Sequence, residues 1–298
     1  MTNQTRGTAE MTAAMLISGT IGWFVVSSGQ PVLDVVFWRC VFGALALLAA
    51  CAALGVLRRD VITLRLFVLA AAGGVAIVVN WLLLFGAYPR ASISIATAVY
   101  NTQPFMLVGL GALLFGEKLT VSKVLWLVVA FAGTVLIVQA KDAGYSGTDY
   151  LTGIVMALGA AFCYAIASVI AKRLKGTPPH LIALIQVAVG VVMLAPFAHL
   201  TRLPTGLGTW GLLMTLGVVH TGVMYILLYG AIQKLPTHLI GSLSFIYPVV
   251  AIFVDVLAFG HRLHWVQIAG AVAILLAAAG TNLGWRLWPA KPAAVAAD

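Results

Sequence analysis

The chain is divided into ten long apolar runs, and this pattern constrains its fold more than any other feature of the sequence. A helix that crosses the hydrocarbon core of a bilayer needs about 20 mostly apolar residues. Because the runs show no period-two alternation, helices are favoured over a β-barrel. The sequence therefore predicts an all-α integral membrane protein with ten transmembrane helices. The runs lie at about 11–28, 32–55, 66–87, 92–114, 121–139, 150–171, 179–198, 209–230, 238–259 and 265–284.

The composition agrees with a chain that is dissolved in lipid, since 62% of its 298 residues are hydrophobic and only 8% are charged. A soluble domain has about a quarter charged residues, and it lacks the interior to hide so much apolar surface. A cytosolic enzyme, a nucleic-acid-binding protein and a disordered chain are therefore excluded. The three cysteines lie within apolar runs, at spacings that indicate neither a disulfide framework nor a metal site.

The distribution of lysine and arginine predicts the orientation of the chain. With the N-terminus inside, the outer segments hold five of the 17 basic residues and the inner segments hold the other 12. Cytoplasmic loops of membrane proteins are enriched in Lys and Arg, so both termini are expected in the cytoplasm of a bacterial-type inner membrane. The tail at 289–298, rich in Ala and Pro, is expected to be disordered. The five outer residues are Arg39, Arg90, Lys141, Arg202 and Arg262.

The two halves of the chain resemble each other when they are shifted by 144 residues. Pro104 then falls on Pro248 and Gly116 on Gly260, with 12 residues between the proline and the glycine in both copies. The sequence therefore indicates an internal repeat.

Each copy of the repeat holds five predicted helices, in segments 11–139 and 150–284. Because five is odd, the second copy enters the membrane from the opposite side, which predicts inverted repeats related by a pseudo-two-fold axis in the membrane plane. A gene duplication that yields only a stable bundle is the alternative. Inverted repeats are a common basis for alternating access, which favours a transport function.

A motif follows each of the two prolines. It reads Gly116-Glu117-Lys118-Leu119-Thr120 in the first copy and Gly260-His261-Arg262-Leu263 in the second, which also keeps Gln267 and Gly270. This pattern resembles the drug/metabolite transporter (DMT) superfamily in its ten-helix form, built from two EamA-type repeats. The second copy departs from the family in having His261 instead of Glu.

Within that superfamily the chain is most similar to exporters of amino acids and metabolites, such as the aromatic amino acid exporters of the YddG type. The resemblance implies a secondary transporter that exports amino acids, aromatic ones included, and similar small metabolites by alternating access, with no cofactor. A broad-specificity drug exporter of the same fold is the alternative. A monomer is compatible with the sequence.

The predicted substrate site lies near the membrane midplane, between the repeats and beside interrupted helices. Pro104 and Pro248 lie near the middle of their runs, where a proline removes a backbone hydrogen bond, so both are predicted hinges; simple packing kinks are the alternative. Aromatic and polar side chains flank them, and an unpaired polar group facing lipid costs several kcal/mol. The predicted substrate-binding residues are Trp23, Asn80, Trp81, Tyr100, Asn101, Gln103, Tyr164, His220, Tyr225, Ser244 and Tyr247.

The charges within the runs limit the substrate and the chemistry. Asp255 is the only acid clearly inside a run, and Arg39, about two turns into its helix, is the basic residue closest to a midplane. Phosphorylated substrates require Arg or Lys clamps, so we expect a neutral or zwitterionic, amino-acid-like solute. No nucleophile with a base and no metal cluster is apparent, which argues against an enzyme. His220 is then the only central ionisable side chain, and facilitated diffusion is favoured over proton antiport.

Overall fold

The computed structural model of the chain describes residues 2–57, 62–117, 119–139, 148–200, 203–259 and 265–287. Within these ranges the chain is helical and contains no strand, as the sequence predicts. A π-helical turn, Val218–Val223, joins α9 to α10. The helices are α1 Asn3–Ser18, α2 Ile21–Ser27, α3 Val32–Ala53, α4 Leu64–Tyr100, α5 Gln103–Phe115, α6 Val121–Gln139, α7 Thr148–Arg173, α8 Pro179–Leu194, α9 Leu207–Gly217, α10 Met224–Lys234, α11 Thr237–Ser244, α12 Ile246–Phe259 and α13 Trp265–Leu283.

Some sequence features lie outside the described residues. These are the tail at 289–298, the second motif from Gly260 to Leu263, and the basic residues Lys118, Lys141 and Arg202.

Several helices are long and apolar enough to cross a membrane, by length and composition. In the described part of the chain the longer ones are Asn3–Ser27, Val32–Ala53, Leu64–Ala91, Thr148–Arg173 and Leu207–Lys234. Shorter apolar helices are Gln103–Phe115, Val121–Leu136, Pro179–Leu194, Thr237–Ala251 and Ile268–Thr281.

Large apolar side chains cover the outside of these helices. Leu113 is 79% exposed, Val192 76% and Leu257 84%. A helix satisfies its backbone hydrogen bonds internally and can present such side chains to lipid. The exterior is therefore suited to a bilayer.

Helix α4 runs further than the sequence predicts. A helix end was expected between the runs at 66–87 and 92–114, but α4 continues through Pro89 to Tyr100. Pro89 removes the backbone donor for the carbonyl of Phe85. The guanidinium of Arg90 donates through Nη1 to the neighbouring carbonyl of Gly86 at 2.7 Å, which adds a hydrogen bond within the same turn. The predicted boundary near residue 90 is therefore wrong.

Two helices begin at the symmetry-related prolines. Helix α5 starts at Gln103, directly before Pro104, and α12 starts at Ile246, two residues before Pro248. A proline in the first turn of a helix loses no intrahelical hydrogen bond. Each proline therefore begins the second part of an interrupted helix and does not kink a continuous one.

The two halves of the chain pack against each other, α4 along α7 and α1 along α10. Small residues permit this close approach. A Cβ on Gly153 of α7 would lie 2.7 Å from the Cβ of Ala91 on α4, so the two backbones are nearly in contact.

Charged side chains join the helices at one end of the bundle, here termed the amino-terminal end. Lys234 Nζ lies 2.6 Å from Glu10 Oε2, and Lys172 Nζ lies 2.5 Å from Glu117 Oε1. Lys172 also donates to the carbonyl of Leu235 at 3.3 Å. These contacts tie α1, α7 and the α5–α6 connection to the end of α10.

At the opposite end of the bundle, Asp34 accepts two hydrogen bonds from His199. The backbone N–H of His199 lies 2.9 Å from Oδ1, and its Nδ1 lies 3.0 Å from Oδ2. This contact joins the start of α3 to the segment after α8.

Candidate functional site

A cavity of about 1000 Å³, counting the space at its mouth, lies inside the bundle. Its walls come from both halves of the chain. They include α4 and α5, on the two sides of one helix interruption, and α11 and α12, on the two sides of the other. Its polar and aromatic lining residues are Ser18, Trp23, Arg39, Asn80, Trp81, Phe85, Tyr88, Thr97, Tyr100, Gln103, Tyr164, Tyr225, Ser244 and Tyr247.

Nine of the eleven predicted substrate-binding residues line this cavity. The two that do not are Asn101 and His220. The nine are Trp23, Asn80, Trp81, Tyr100, Gln103, Tyr164, Tyr225, Ser244 and Tyr247.

Asn101 is buried at the interruption between α4 and α5. Its amide Nδ2 donates to the carbonyl of Thr97 at 2.8 Å. The same carbonyl also accepts from the backbone N–H of Asn101 at 3.0 Å, so the side chain adds a second hydrogen bond at the end of α4. Asn101 is not among the residues that line the cavity.

His220 is buried in the π-helical turn, behind the cavity wall. Its Nε2 lies 2.6 Å from Thr20 Oγ1, and its Nδ1 lies 3.2 Å from the carbonyl of Thr215. A carbonyl can only accept, so we assign a proton to Nδ1. The Thr20 hydroxyl lies within hydrogen-bond distance of both Nε2 and the carbonyl of Ile17, the latter at 2.8 Å. His220 therefore links the α1–α2 junction to the π-helical turn.

Arg39 is a cavity residue that the sequence analysis missed. Its side chain has no exposed surface and its Cζ lies 4.2 Å from the centroid of the Trp81 ring. Nε donates to Thr221 Oγ1 at 2.7 Å and Nη2 to the carbonyl of His220 at 2.9 Å. Nη1 has no hydrogen-bond partner among the described residues. The expectation of a site without a basic side chain is therefore wrong.

The helix position of Arg39 explains the error. Arg39 lies seven residues after Val32, the first residue of α3, or about 10 Å along the axis at 1.5 Å per residue. Its long side chain carries the charge further, to the interior cavity. A lone basic residue within an apolar run is itself a signal of function, and that signal would have found it.

Aromatic rings form most of the remaining wall. Trp81 and Tyr225 meet edge to face with centroids 5.6 Å apart, and Tyr100 and Tyr164 do so at 6.1 Å. Asn80 donates to the carbonyl of Ala160 at 2.7 Å. Such walls suit an apolar or aromatic group of a ligand.

The cavity is closed towards the amino-terminal end of the bundle, where Glu117 joins three elements. Besides Lys172, its carboxylate accepts from the backbone N–H of Thr237 at 2.9 Å and from the hydroxyl of the same residue. Burial alone would raise the pKa of Glu117, but the hydrogen bonds from Lys172 and Thr237 outweigh it and hold the pKa below its usual value. The carboxylate is therefore charged and paired at neutral pH.

Within the described ranges, no group of three His, Cys, Asp or Glu residues is arranged to hold a metal ion.

Comparison with known proteins gives a match over nearly the whole chain. The EamA-like transporter family matches residues 8–139 and again residues 151–283. A solved crystal structure superposes with a TM-score of 0.81 at 23% sequence identity, covering 96% of this chain and 99% of its own. That likeness concerns the fold alone.

Individual relatives are 26–31% identical to this chain. The uncharacterized transporter YxxF of Bacillus subtilis is 31% identical over 89% of this chain and 86% of its own length. The threonine/homoserine exporter RhtA of Salmonella typhimurium is 26% identical over 66% of this chain and 65% of its own length. The aromatic amino acid exporter YddG of Ancylobacter novellus is 26% identical over 58% and 61%, respectively.

Proposed function

Since the chain belongs to the EamA-like transporter family, we propose that it is a secondary transporter that exports amino acids, aromatic ones included, and similar small metabolites. The family and the named relatives are transporters, so the protein is a membrane transporter and not an enzyme. The observation that carries the substrate class is the cavity of about 1000 Å³, with its aromatic walls and its few polar groups. A site of this composition fits a small solute with one apolar part and one polar part.

The proposed architecture is ten membrane crossings in two inverted repeats, segments 11–139 and 150–284, which work by alternating access. The two separate family matches and the helix interruptions before Pro104 and Pro248 support it. Both prolines lie where helix halves can move relative to each other, which supports their role as hinges.

The proposed orientation places both termini in the cytoplasm of a bacterial-type inner membrane, because of the excess of basic residues at the amino-terminal end. Cysteines introduced at Lys175 and Gly206 test it in a variant whose native cysteines are replaced. An impermeant thiol reagent applied to intact cells should label Gly206→Cys and not Lys175→Cys. The reverse labelling would overturn the orientation.

The nine cavity-lining residues named above are the proposed substrate-binding residues. The buried guanidinium of Arg39 disfavours a cationic substrate, because like charges repel strongly in a medium of low dielectric constant. This separates amino acids from the lipophilic cations that a broad-specificity drug exporter takes.

A thermal-shift screen of the purified protein tests the substrate class. A ligand that binds only the folded state stabilises it by a free energy that grows with the logarithm of ligand concentration over Kd, and it raises the unfolding temperature accordingly. We expect stabilisation by phenylalanine, tryptophan or threonine, and uptake of the same amino acid by proteoliposomes. Stabilisation by lipophilic cations, with no response to any amino acid, would replace this proposal by the drug exporter.

A further inference from the structure

We propose that Arg39 binds the carboxylate of the substrate, so that the cavity selects small carboxylates with an apolar or aromatic side group. This inference rests on the proposed transport function and specifies the chemistry of its site. Arg39 lines the cavity, and its Nη1 is unpartnered among the described residues.

The charge of Arg39 is not neutralised by the part of the protein that the structure describes. Its guanidinium is held by two neutral oxygens, Thr221 Oγ1 and the carbonyl of His220, and by the face of Trp81. No described carboxylate pairs with it. A buried charge without a counter-charge is strongly unfavourable, so an anionic group that enters the cavity is attracted to this position.

The geometry of Arg39 leaves one group of donors unused. A guanidinium carries five N–H donors, and those on Nε and Nη2 each contribute one hydrogen bond to the π-helical turn. Both N–H groups on Nη1 are without an acceptor among the described residues. A carboxylate oxygen supplies a charge-assisted acceptor for them, which is among the strongest hydrogen bonds in proteins.

The anchoring contacts prepare Arg39 for binding. Thr221 donates its own hydroxyl proton to the carbonyl of Leu216 at 2.9 Å, which leaves its oxygen oriented to accept from Nε. A side chain that is already fixed loses little conformational entropy when the ligand arrives. Because the guanidinium is covered in the empty cavity, the carboxylate reaches Nη1 by displacing the edge of a neighbouring ring such as Trp81.

A purely structural role is the competing explanation. Arg39 also ties α3 to the π-helical turn, and a tether alone would stabilise the site for every ligand equally. The two explanations therefore differ in whether the effect of Arg39 depends on the ligand carboxylate.

The experiment measures Kd of the purified, full-length protein for four related ligands. Two carry a carboxylate, L-phenylalanine and 3-phenylpropionate, and two do not, L-phenylalaninamide and phenethylamine. A hydrogen bond to a charged group contributes enough for about a tenfold to hundredfold change in affinity. In the wild type we expect the two carboxylates to bind about tenfold or more tightly than the other two.

Arg39→Gln should weaken binding of the carboxylates by about ten- to a hundredfold. It should leave the affinity for the other two ligands unchanged or raise it, because their ammonium groups no longer meet the charge of the guanidinium. Arg39→Lys keeps the charge and loses the planar fork, so it should show a smaller loss that is also confined to the carboxylates. Arg90→Gln is the matched control, since it removes an arginine from α4 outside the cavity lining, and it should preserve the preference for carboxylates.

Two results overturn the inference. One is equal binding of the acid and its amide by the wild type. The other is an equal loss for all four ligands in Arg39→Gln, or in Arg39→Lys if the glutamine variant does not fold. The outcomes also separate this inference from the proposed function. If 3-phenylpropionate binds in a way that depends on Arg39 but no amino acid is transported, the carboxylate site is supported and the proposed function is not. If amino acids are transported equally well with and without Arg39, the proposed function is supported and the carboxylate site is not.

Discussion

At the scale of single residues, the buried polar groups differ in how much of their hydrogen-bonding capacity the protein itself uses. Asn80 donates to Ala160 and to the hydroxyl of Tyr100, the latter at 3.3 Å. By contrast, Gln103 Oε1 and Arg39 Nη1 have no partner among the described residues. A buried polar group without a hydrogen-bond partner is costly. A ligand that supplies the missing partner in the cavity wall therefore gains the most binding free energy there.

The cavity tyrosines and Asn101 should respond differently to truncation. Tyr225→Ala removes a wall ring and should weaken phenylalanine binding by about tenfold, because an aromatic contact contributes about 0.5–1.5 kcal/mol beyond its buried area. Asn101→Ala removes the second of two hydrogen bonds to the carbonyl of Thr97 and keeps the one from the backbone N–H, so it should lower the unfolding temperature only slightly and leave Kd unchanged. Ligand titration and thermal unfolding of both variants check this. A tenfold loss of affinity in Asn101→Ala would place that residue in the site.

Helical periodicity predicts most of the cavity wall but not the place of Arg39 in it. Helical periodicity brings side chains three and four residues apart to one face, which is why Tyr100 and Trp81 were found. Periodicity does not reveal which helix lies opposite. Arg39 lines the cavity because α3 packs on a π-helical turn, and the sequence gives no signal for that turn.

At the scale of the elements, the contact between α3 and α9 sets the position of Arg39. A Cβ on Gly217 would lie 2.8 Å from the backbone nitrogen of Gly43, and one on Gly43 would lie 2.8 Å from Thr221 Cγ2. These glycines therefore let α3 approach the π-helical turn closely enough for Arg39 to reach Thr221. π-helical turns occur frequently at functional sites.

Gly217→Ala should separate these two helices. The added methyl group meets backbone atoms of α3, so we expect a lower unfolding temperature and a reduced preference for phenylalanine over its amide. Gly211→Ala is the matched control on the same helix, since a Cβ there meets nothing within 4 Å. It should be neutral or slightly stabilising, because alanine favours a helix by up to about 1 kcal/mol over glycine. Identical behaviour of the two variants would contradict the close-approach explanation.

The sequence predicted the helix interruptions better than it predicted the helix ends. Pro104 and Pro248 are local signals that act within one turn. Pro89 is the same signal, yet α4 continues through it, since the neighbouring Arg90 side chain donates to Gly86 and α7 packs alongside. A boundary that depends on tertiary contacts cannot be read from a local pattern.

At the scale of the whole molecule, the paired charges close the amino-terminal end while the cavity extends from Met15 towards the opposite end. Val26 of α2 and Val254 of α12 are lining residues on that side. Two of the ion pairs, Glu10–Lys234 and Glu117–Lys172, each join the first half of the chain to the second. Such pairs favour the conformation in which this end is closed.

Glu117→Gln should open the amino-terminal end more often. The substitution removes the charge that Lys172 pairs with. A cysteine introduced at Met15, in a variant whose native cysteines are replaced, should therefore react faster with a thiol reagent. The reagent is added to inside-out vesicles, which expose the amino-terminal end on their outer face in the proposed orientation. Arg6→Gln is the control, because the exposed pair between Arg6 and Glu10 contributes little. Unchanged labelling in Glu117→Gln would mean that apolar packing alone closes this end.

The lowered pKa of Glu117 gives the same closure a defined pH dependence. A carboxylate whose pKa is lowered on folding stabilises the folded contact above its ordinary pKa of about 4.3 and loses this effect as the pH falls through the lowered value. The thiolate is the species that reacts, so the labelling rate of the Met15 cysteine is divided at each pH by that of the same cysteine in Glu117→Gln. This ratio should be equally low at pH 7 and pH 5.5. A higher ratio at pH 5.5 would show that Glu117 becomes protonated there.

Transport itself should proceed without a proton gradient. Proton-coupled carriers place a group that can be protonated from either side within the membrane. His220 fits this role poorly, because it is not among the cavity-lining residues and both its ring nitrogens are engaged, with Thr20 and Thr215. Arg39 cannot release its proton, so it binds an anion without exchanging protons. Amino-acid flux in proteoliposomes should then follow the solute gradient alone, and His220→Gln, which can still hydrogen-bond, should retain most of it. Accumulation against the solute gradient that is driven by an imposed pH difference and lost in His220→Gln would refute passive transport.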